Sequence, residues 1–295
     1  MRRFSTNDKI SRMKQEMNNY FYPVLSPYDF GWFRVSGPGL ANCLLTAARA
    51  YVRSRLENAE YIDPTWTKFS PGTFLRGEKD KRIYCGLFRP AGISGWKKAC
   101  ILLKYNVLPP PFRAGGRVVR VEGLGDYFSE LNGHMDIIQE FIGKITKEKT
   151  VCAVPAEKLR DCIAVHVRLG DYVPRLRVPV GWYAGILRGI RSLRPEQKFA
   201  VFSDGTDEEL KELLRLPRTK RVFYGNAYAD MYAMSHCRMV VASDSTFSAW
   251  GAFMGRRPVL FSKRHFPRIY RGEVPEAVLG DSVVIPEDFQ AVIAS

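Results

Sequence analysis

His166, Arg168 and Asp171 lie within six residues of one another and mix an imidazole, a guanidinium and a carboxylate. The run from Ile163 to Leu169 is apolar, holds β-branched residues and lacks Gly and Pro, which is the composition of a buried strand. Side chains alternate along a strand, so His166 and Arg168 share one face while Val165 and Val167 share the other. Gly170-Asp171 ends the strand and puts Arg168 near its carboxyl end, where open α/β sheets bind ligands. A guanidinium there suits an anion, because its planar fork pairs bidentately with phosphate or carboxylate. The same residues also allow an internal Arg168–Asp171 salt bridge and a satisfied core histidine, and this stretch alone leaves both readings open.

Two further stretches end in similar side chains. Phe202-Ser203-Asp204-Gly205 closes a predicted strand with a carboxylate. Ser243-Asp244-Ser245-Thr246-Phe247-Ser248 closes another and opens a helix, where hydroxyls and backbone N–H groups make an anion cradle. Ordinary N-capping accounts for the same residues.

Regular alternation positions these groups. From residue 161 the pattern predicts a strand to 169, a helix at 181–193 and a strand at 198–203. A helix then opens on the capping box Thr206-Asp207-Glu208-Glu209. Strand 221–224, a helix near 228–236 and strand 238–242 follow. Such β-α alternation predicts a doubly wound parallel sheet. The first half is less regular. A strand at 32–35, a Gly-Pro-Gly turn and a helix at 40–56 start it; a helix at 96–105, a strand at 117–122 and a helix near 132–145 follow. Ile10, Met13, Met17 and Tyr20 recur at helical spacing and suit docking on the protein's own body or on a membrane. The charged run 147–149 and Pro155 suggest two domains, 1–155 and 156–295.

The chain has 295 residues, 46% hydrophobic and 25% charged, as in a water-soluble globular protein. No apolar run approaches a transmembrane length and the first residues lack a signal-peptide core, so a cytoplasmic protein is expected. The six Cys form no Cys-x-x-Cys pair and read as reduced core residues. The net charge of +15 is uneven, with 24 basic against 14 acidic residues in 1–155 and 21 against 16 in 156–295. Such a surplus suits a nucleotide-sugar, an anionic membrane surface or nucleic acid. The basic residues are dispersed through amphipathic elements, which disfavours a non-catalytic module that binds nucleic acid or membrane.

The motif His166-x-Arg168-x-Gly170-Asp171 resembles the first signature of GDP-fucose-dependent fucosyltransferases, in particular the α-1,2-fucosyltransferase family. Residues 235–252 resemble the family's third signature nearly end to end. Gly39-Leu40-Ala41-Asn42 is similar to its Gly-Leu-Gly-Asn turn, with Ala41 in place of the second glycine and Cys43 in place of the usual glutamine. Gly125-Asp126-Tyr127-Phe128 is loosely similar to its Gly-Tyr-Phe-Gln segment.

The resemblance implies a GT-B fold of two Rossmann-like domains facing a cleft. The N-terminal domain would take a galactose-containing glycan, with Gly39, Asn42, Glu122 and Asp126 on the cleft side. The C-terminal domain would take GDP-fucose. It implies an inverting transfer in which Arg168 holds the donor diphosphate together with Ser243, Ser245, Thr246 and Phe247. His166 would reach guanine or phosphate, and Asp204 or Asp244 would accept hydrogen bonds from guanine. Asp171, Glu122 and Asp126 are candidates for the base. With no Asp-x-Asp motif, no metal cofactor is expected. A lipid-linked acceptor and peripheral attachment at the inner membrane leaflet fit the charge. Another GDP-sugar or another linkage is the alternative on the same fold.

Overall fold

The computed structural model describes residues 20–69, 84–105, 107–108, 117–170, 175 and 177–294. Of the expected N-terminal stripe, Ile10, Met13 and Met17 lie outside these residues, as does Asp171. Tyr20 begins a strand instead. The chain divides into two compact units, one of residues 1–125 and 134–147, the other of 126–133 and 148–295.

The first unit is built on β1 (Tyr20–Pro23), which lies between β4 (Glu60–Tyr61) and β6 (Val118–Val121), both parallel to it. A small second sheet pairs β2 (Tyr28–Asp29), β3 (Arg34–Val35) and β5 (Lys68–Phe69). Helix α1 (Leu40–Leu56) is Ala- and Leu-rich, starts after Pro38-Gly39 and carries Arg53 and Arg55 in its last turn, where they favour the helix dipole. It packs on β1 and on α3 (Met135–Ile145), while α2 (Gly95–Lys104) buries Ile101 and Leu102. A polar network runs through this unit. The Tyr22 hydroxyl and the Thr65 hydroxyl both donate to Asp29, each at 2.7 Å, and Lys98 Nζ donates to Thr65 at 2.9 Å. Buried Arg34 donates to the carbonyls of Thr65 and Ser36, and so braces the turn before α1.

The second unit is a six-stranded, all-parallel sheet. Its strands are β7 (Cys162–Val167), β8 (Lys198–Ser203), β9 (Thr219–Arg221), β10 (Met239–Ala242), β11 (Val259–Phe261) and β12 (Glu276–Val278). The order β12-β11-β10-β7-β8-β9 means that the chain winds outward from β7 to β9, then returns to the other side of β7. The β7/β10 boundary is therefore the topological switch point. Two short helices, α4 (Glu148–Val151) and α5 (Ala156–Leu159), precede β7. Helix α6 (Val180–Leu193) joins β7 to β8 and α7 (Lys211–Leu214) joins β8 to β9; α8 (Ala227–His236) and α9 (Thr246–Gly255) flank β10. Helix α10 (Glu287–Ala294) packs on α6.

Every residue of α9 from Ser248 to Met254 is buried. It meets α8 closely at Gly251, where a Cβ would stand 2.8 Å from that of Met234. Phe128, fully buried, packs against Trp250 at 5.4 Å and Phe253 at 5.0 Å between ring centroids. These contacts attach residues 126–133 to the second unit, although they precede the boundary at 155 read from the sequence. Among the described residues, no helix is long and apolar enough to cross a membrane.

Candidate functional site

Parallel register sets the carboxyl ends of β7, β8 and β10 side by side: His166 pairs with Phe202 and Val167 with Ser203, while Val241 pairs with Val165. The groups singled out in the sequence on these three strands therefore leave the sheet along one edge.

His166 is buried, and its Nδ1 lies 2.8 Å from the Ser243 hydroxyl. Its ring packs against Phe247 at 5.1 Å. Burial, with the Arg168 charge adding to it and Asp204 opposing, pushes its pKa down to about 3, so the imidazole is neutral. His166 ties β7 to β10 across the switch point.

Arg168 follows the last residue of β7, and its Nη1 lies 2.9 Å from Asp204 Oδ2. Asp204 Oδ1 accepts the N–H groups of Leu169 at 2.8 Å and Gly170 at 3.0 Å. Burial raises the carboxyl pKa, but Arg168 and these two N–H groups outweigh it and hold it below the usual carboxylate range. Gly170 fits this carboxylate, since a Cβ there would stand 2.8 Å from Oδ2. Arg221, on β9, braces the same loop by donating to the carbonyls of Ser203 and Gly205 and pairing with Asp207.

At the end of β10, Ser245 caps α9 by accepting from the Phe247 N–H at 3.2 Å. The Ser248 hydroxyl donates to the carbonyls of Ser243 and Ser245. Thr246 is the first residue of the helix. Hydroxyls of Ser243, Ser245 and Ser248 thus shape the turn. Asp244 Oδ1 accepts from the His265 backbone N–H at 2.9 Å and lies 2.6 Å from His265 Nδ1.

The remaining candidates lie elsewhere. Gly39 is the N-cap position of α1, and Asn42 sits in its first turn with its carbonyl accepting from Thr46. Glu122, in the first unit, pairs with Arg120 at 3.4 Å and accepts Arg49 on its carbonyl. Asp126, counted with the second unit, is exposed, and its backbone N–H donates to Glu130.

Among the described residues Asp204 pairs with Arg168, brought there by β7–β8 register; Asp171, the neighbour that the sequence suggests, lies outside them. Sequence reasoning did not find His265, whose only sequence signal is its place four residues beyond β11. Nor did it find Arg221.

A parallel sheet in each unit, with a polar strand-end cluster at the switch point of the second, is the α/β architecture of GT-B-like proteins. Among solved structures, the fucosyltransferase NodZ from Bradyrhizobium is similar with a TM-score of 0.54 at 12% identity, over 83% of this chain and 96% of that one. NodZ described as an α-1,6-fucosyltransferase co-crystallized with GDP gives 0.52 at 14% identity, over 82% and 94%. Residues 124–261, from before Tyr127 through β11, match the model of glycosyl transferase family 11. The O-antigen biosynthesis glycosyltransferase WbnK of Escherichia coli is 28% identical over 101 residues, which are 31% of this chain and 33% of that protein. The alignment thus spans about a third of that relative.

Proposed function

We propose that the protein is an inverting glycosyltransferase that moves L-fucose from GDP-fucose to a galactoside hydroxyl in α-1,2 linkage. One observation carries the reading: a paired arginine and a capped helix N-terminus converge at the switch point of a parallel sheet in the family's matched stretch. Arg168, held by Asp204, and the backbone N–H groups at the start of α9 meet the charge that grows on the departing diphosphate. Ser243, Ser245, Thr246 and Phe247 shape this anion site, and neutral His166 keeps it braced. Asp204 acts here through Arg168. A NodZ structure soaked with GDP-fucose supports the donor class.

The first unit takes the glycan acceptor, with Gly39, Asn42 and Glu122 as its candidate residues. Positive charge comes from the protein itself, so turnover is expected to be metal-independent. The net charge of +15 supports work at an anionic membrane surface near a lipid-linked acceptor, from which high salt should release the enzyme.

The test is thermal shift with GDP, UDP and CDP, followed by mass spectrometry and linkage analysis of products from GDP-fucose and β-galactosides with and without EDTA. Stabilisation by GDP alone and EDTA-resistant α-1,2 product are expected. Stabilisation by UDP instead, or activity that EDTA abolishes and Mn²⁺ restores, would refute the donor or the metal independence. Product carrying another linkage or another GDP-sugar would select the alternative on the same fold.

A further inference from the structure

We infer that His265, held by Asp244, is the base that takes the proton from the acceptor hydroxyl. The proposal rests on the functional reading above and adds to it the residue that sequence left unassigned.

Asp244 Oδ1 lies 2.6 Å from His265 Nδ1 and also accepts that residue's backbone N–H at 2.9 Å. A carboxylate only accepts, so in the neutral ring Nδ1 carries the proton and Nε2 presents the lone pair. No described contact engages Nε2, and the His265 side chain is 46% exposed while that of Asp244 is 14% exposed. A partly exposed carboxylate thus orients a half-exposed imidazole with its basic nitrogen turned away from it, which is the arrangement of a general base and its orienting group.

The place in the fold agrees. β11 pairs with β10, with Phe261 opposite Ala242, so Asp244 and the loop that carries His265 extend from the same sheet edge as Arg168 and Asp204. The Tyr127 ring stands edge-on to His265 at 6.0 Å, and buried Phe266 packs against both rings. Tyr127 holds φ at +49°, in the left-handed region that non-glycine residues seldom occupy. Such strain gathers where a side chain is aimed for function. It persists here because the next residue, Phe128, is locked under α9.

In the step, the acceptor oxygen forms its bond to the fucose anomeric carbon as its proton passes to His265 Nε2. The bond from that carbon to the β-phosphate oxygen breaks, and its electron pair leaves with GDP. The imidazolium, stabilised by Asp244, returns its proton to water.

The test compares wild type, His265→Gln and Asp244→Asn in the full chain. GDP release from GDP-fucose is followed with water and with lactose as acceptors, and the Kd for GDP is measured by titration calorimetry. His265→Gln should lower kcat on the order of a hundredfold or more, the usual worth of a positioned base, with GDP affinity within about threefold. Asp244→Asn should lower kcat less, because the ring loses only its orientation. A His265→Gln enzyme with kcat within threefold of wild type overturns the proposal, as does a loss of GDP affinity that matches the loss of turnover. Wild-type protein that binds no GDP overturns the functional reading itself, a result separable from either of these.

Discussion

Replacing Arg168 by Lys separates an anion clamp from a structural ion pair. The guanidinium meets Asp204 at 2.9 Å with about a third of each side chain exposed. Asp204 keeps the N–H groups of Leu169 and Gly170 whatever stands at 168, so the substitution strands no carboxylate. A partly exposed pair of this kind contributes about 1 kcal/mol or less, and a lysine retains some of it. The expected fall in Tm is therefore about 2–4 °C at most for a unit of this size. Catalysis should respond far more. A planar fork can pair with Asp204 through one nitrogen and offer others to phosphate oxygens, whereas an ammonium cannot serve both with the same geometry. Loss of one preorganised contact to the leaving group costs about 3–4 kcal/mol, on the order of a hundred- to a thousandfold in kcat. GDP affinity should fall less, because charge on the diphosphate grows in the transition state. The assay is steady-state release of GDP, with calorimetric Kd and a thermal melt on the same preparation. Turnover within about threefold of wild type, or a variant that fails to fold, would refute the reasoning.

Gly170→Ala should lower turnover while leaving the fold intact, since its Cβ would stand 2.8 Å from Asp204 Oδ2 and displace the partner of Arg168; normal kcat would show that this carboxylate does not position the arginine. Lowering the pH should destabilise the protein through His166. Its folded pKa near 3 lies below the ordinary value near 6.5, so the unfolded chain binds the proton first and stability falls as pH drops between them. Denaturant titrations should give this group's share as up to about 1.4 kcal/mol per pH unit. A His166→Phe variant should lose that share of the slope, and an unchanged slope would refute it. Asp204, held low, adds an acid loss only below the ordinary carboxylate range.

The second unit was legible because buried parallel strands read as continuous apolar runs. Lys198–Ser203 matches its predicted span residue for residue, and the strand from 163 and the strand to 242 match within one or two. The edge strand was not so legible. Val222-Phe223-Tyr224 looked like the strand, yet the ladder runs through Thr219–Arg221, whose polar side chains suit an edge. The first unit was harder still. Its central strand, Tyr20–Pro23, ends in a proline, and no strand was predicted there. Proline is tolerated because the N–H it lacks would face the β4 side, where β4 ends at Tyr61 opposite Phe21, while the Val24 N–H makes the next bond to Val121 on the β6 side. β2 to β5 have two residues each, too short for any period to show.

What sequence order hides is which strand end supplies a partner, and here the same device occurs twice. Ser203-Asp204 and Ser243-Asp244 each close a central strand, and each aspartate receives a basic side chain from the strand beside it. Arg168 from the end of β7 meets Asp204, and His265 from the loop after β11 meets Asp244. In both pairs a backbone N–H from the same neighbouring segment binds the same carboxylate, fixing the loop as well as the side chain. The two basic groups differ in one property that matters for group transfer. A guanidinium stays charged at every working pH and suits a leaving diphosphate, whereas an imidazole can accept and release a proton and suits a hydroxyl nucleophile. Two copies of one anchoring geometry therefore place a fixed cation and a proton acceptor on the same sheet edge, and the division of labour follows from which base each aspartate holds.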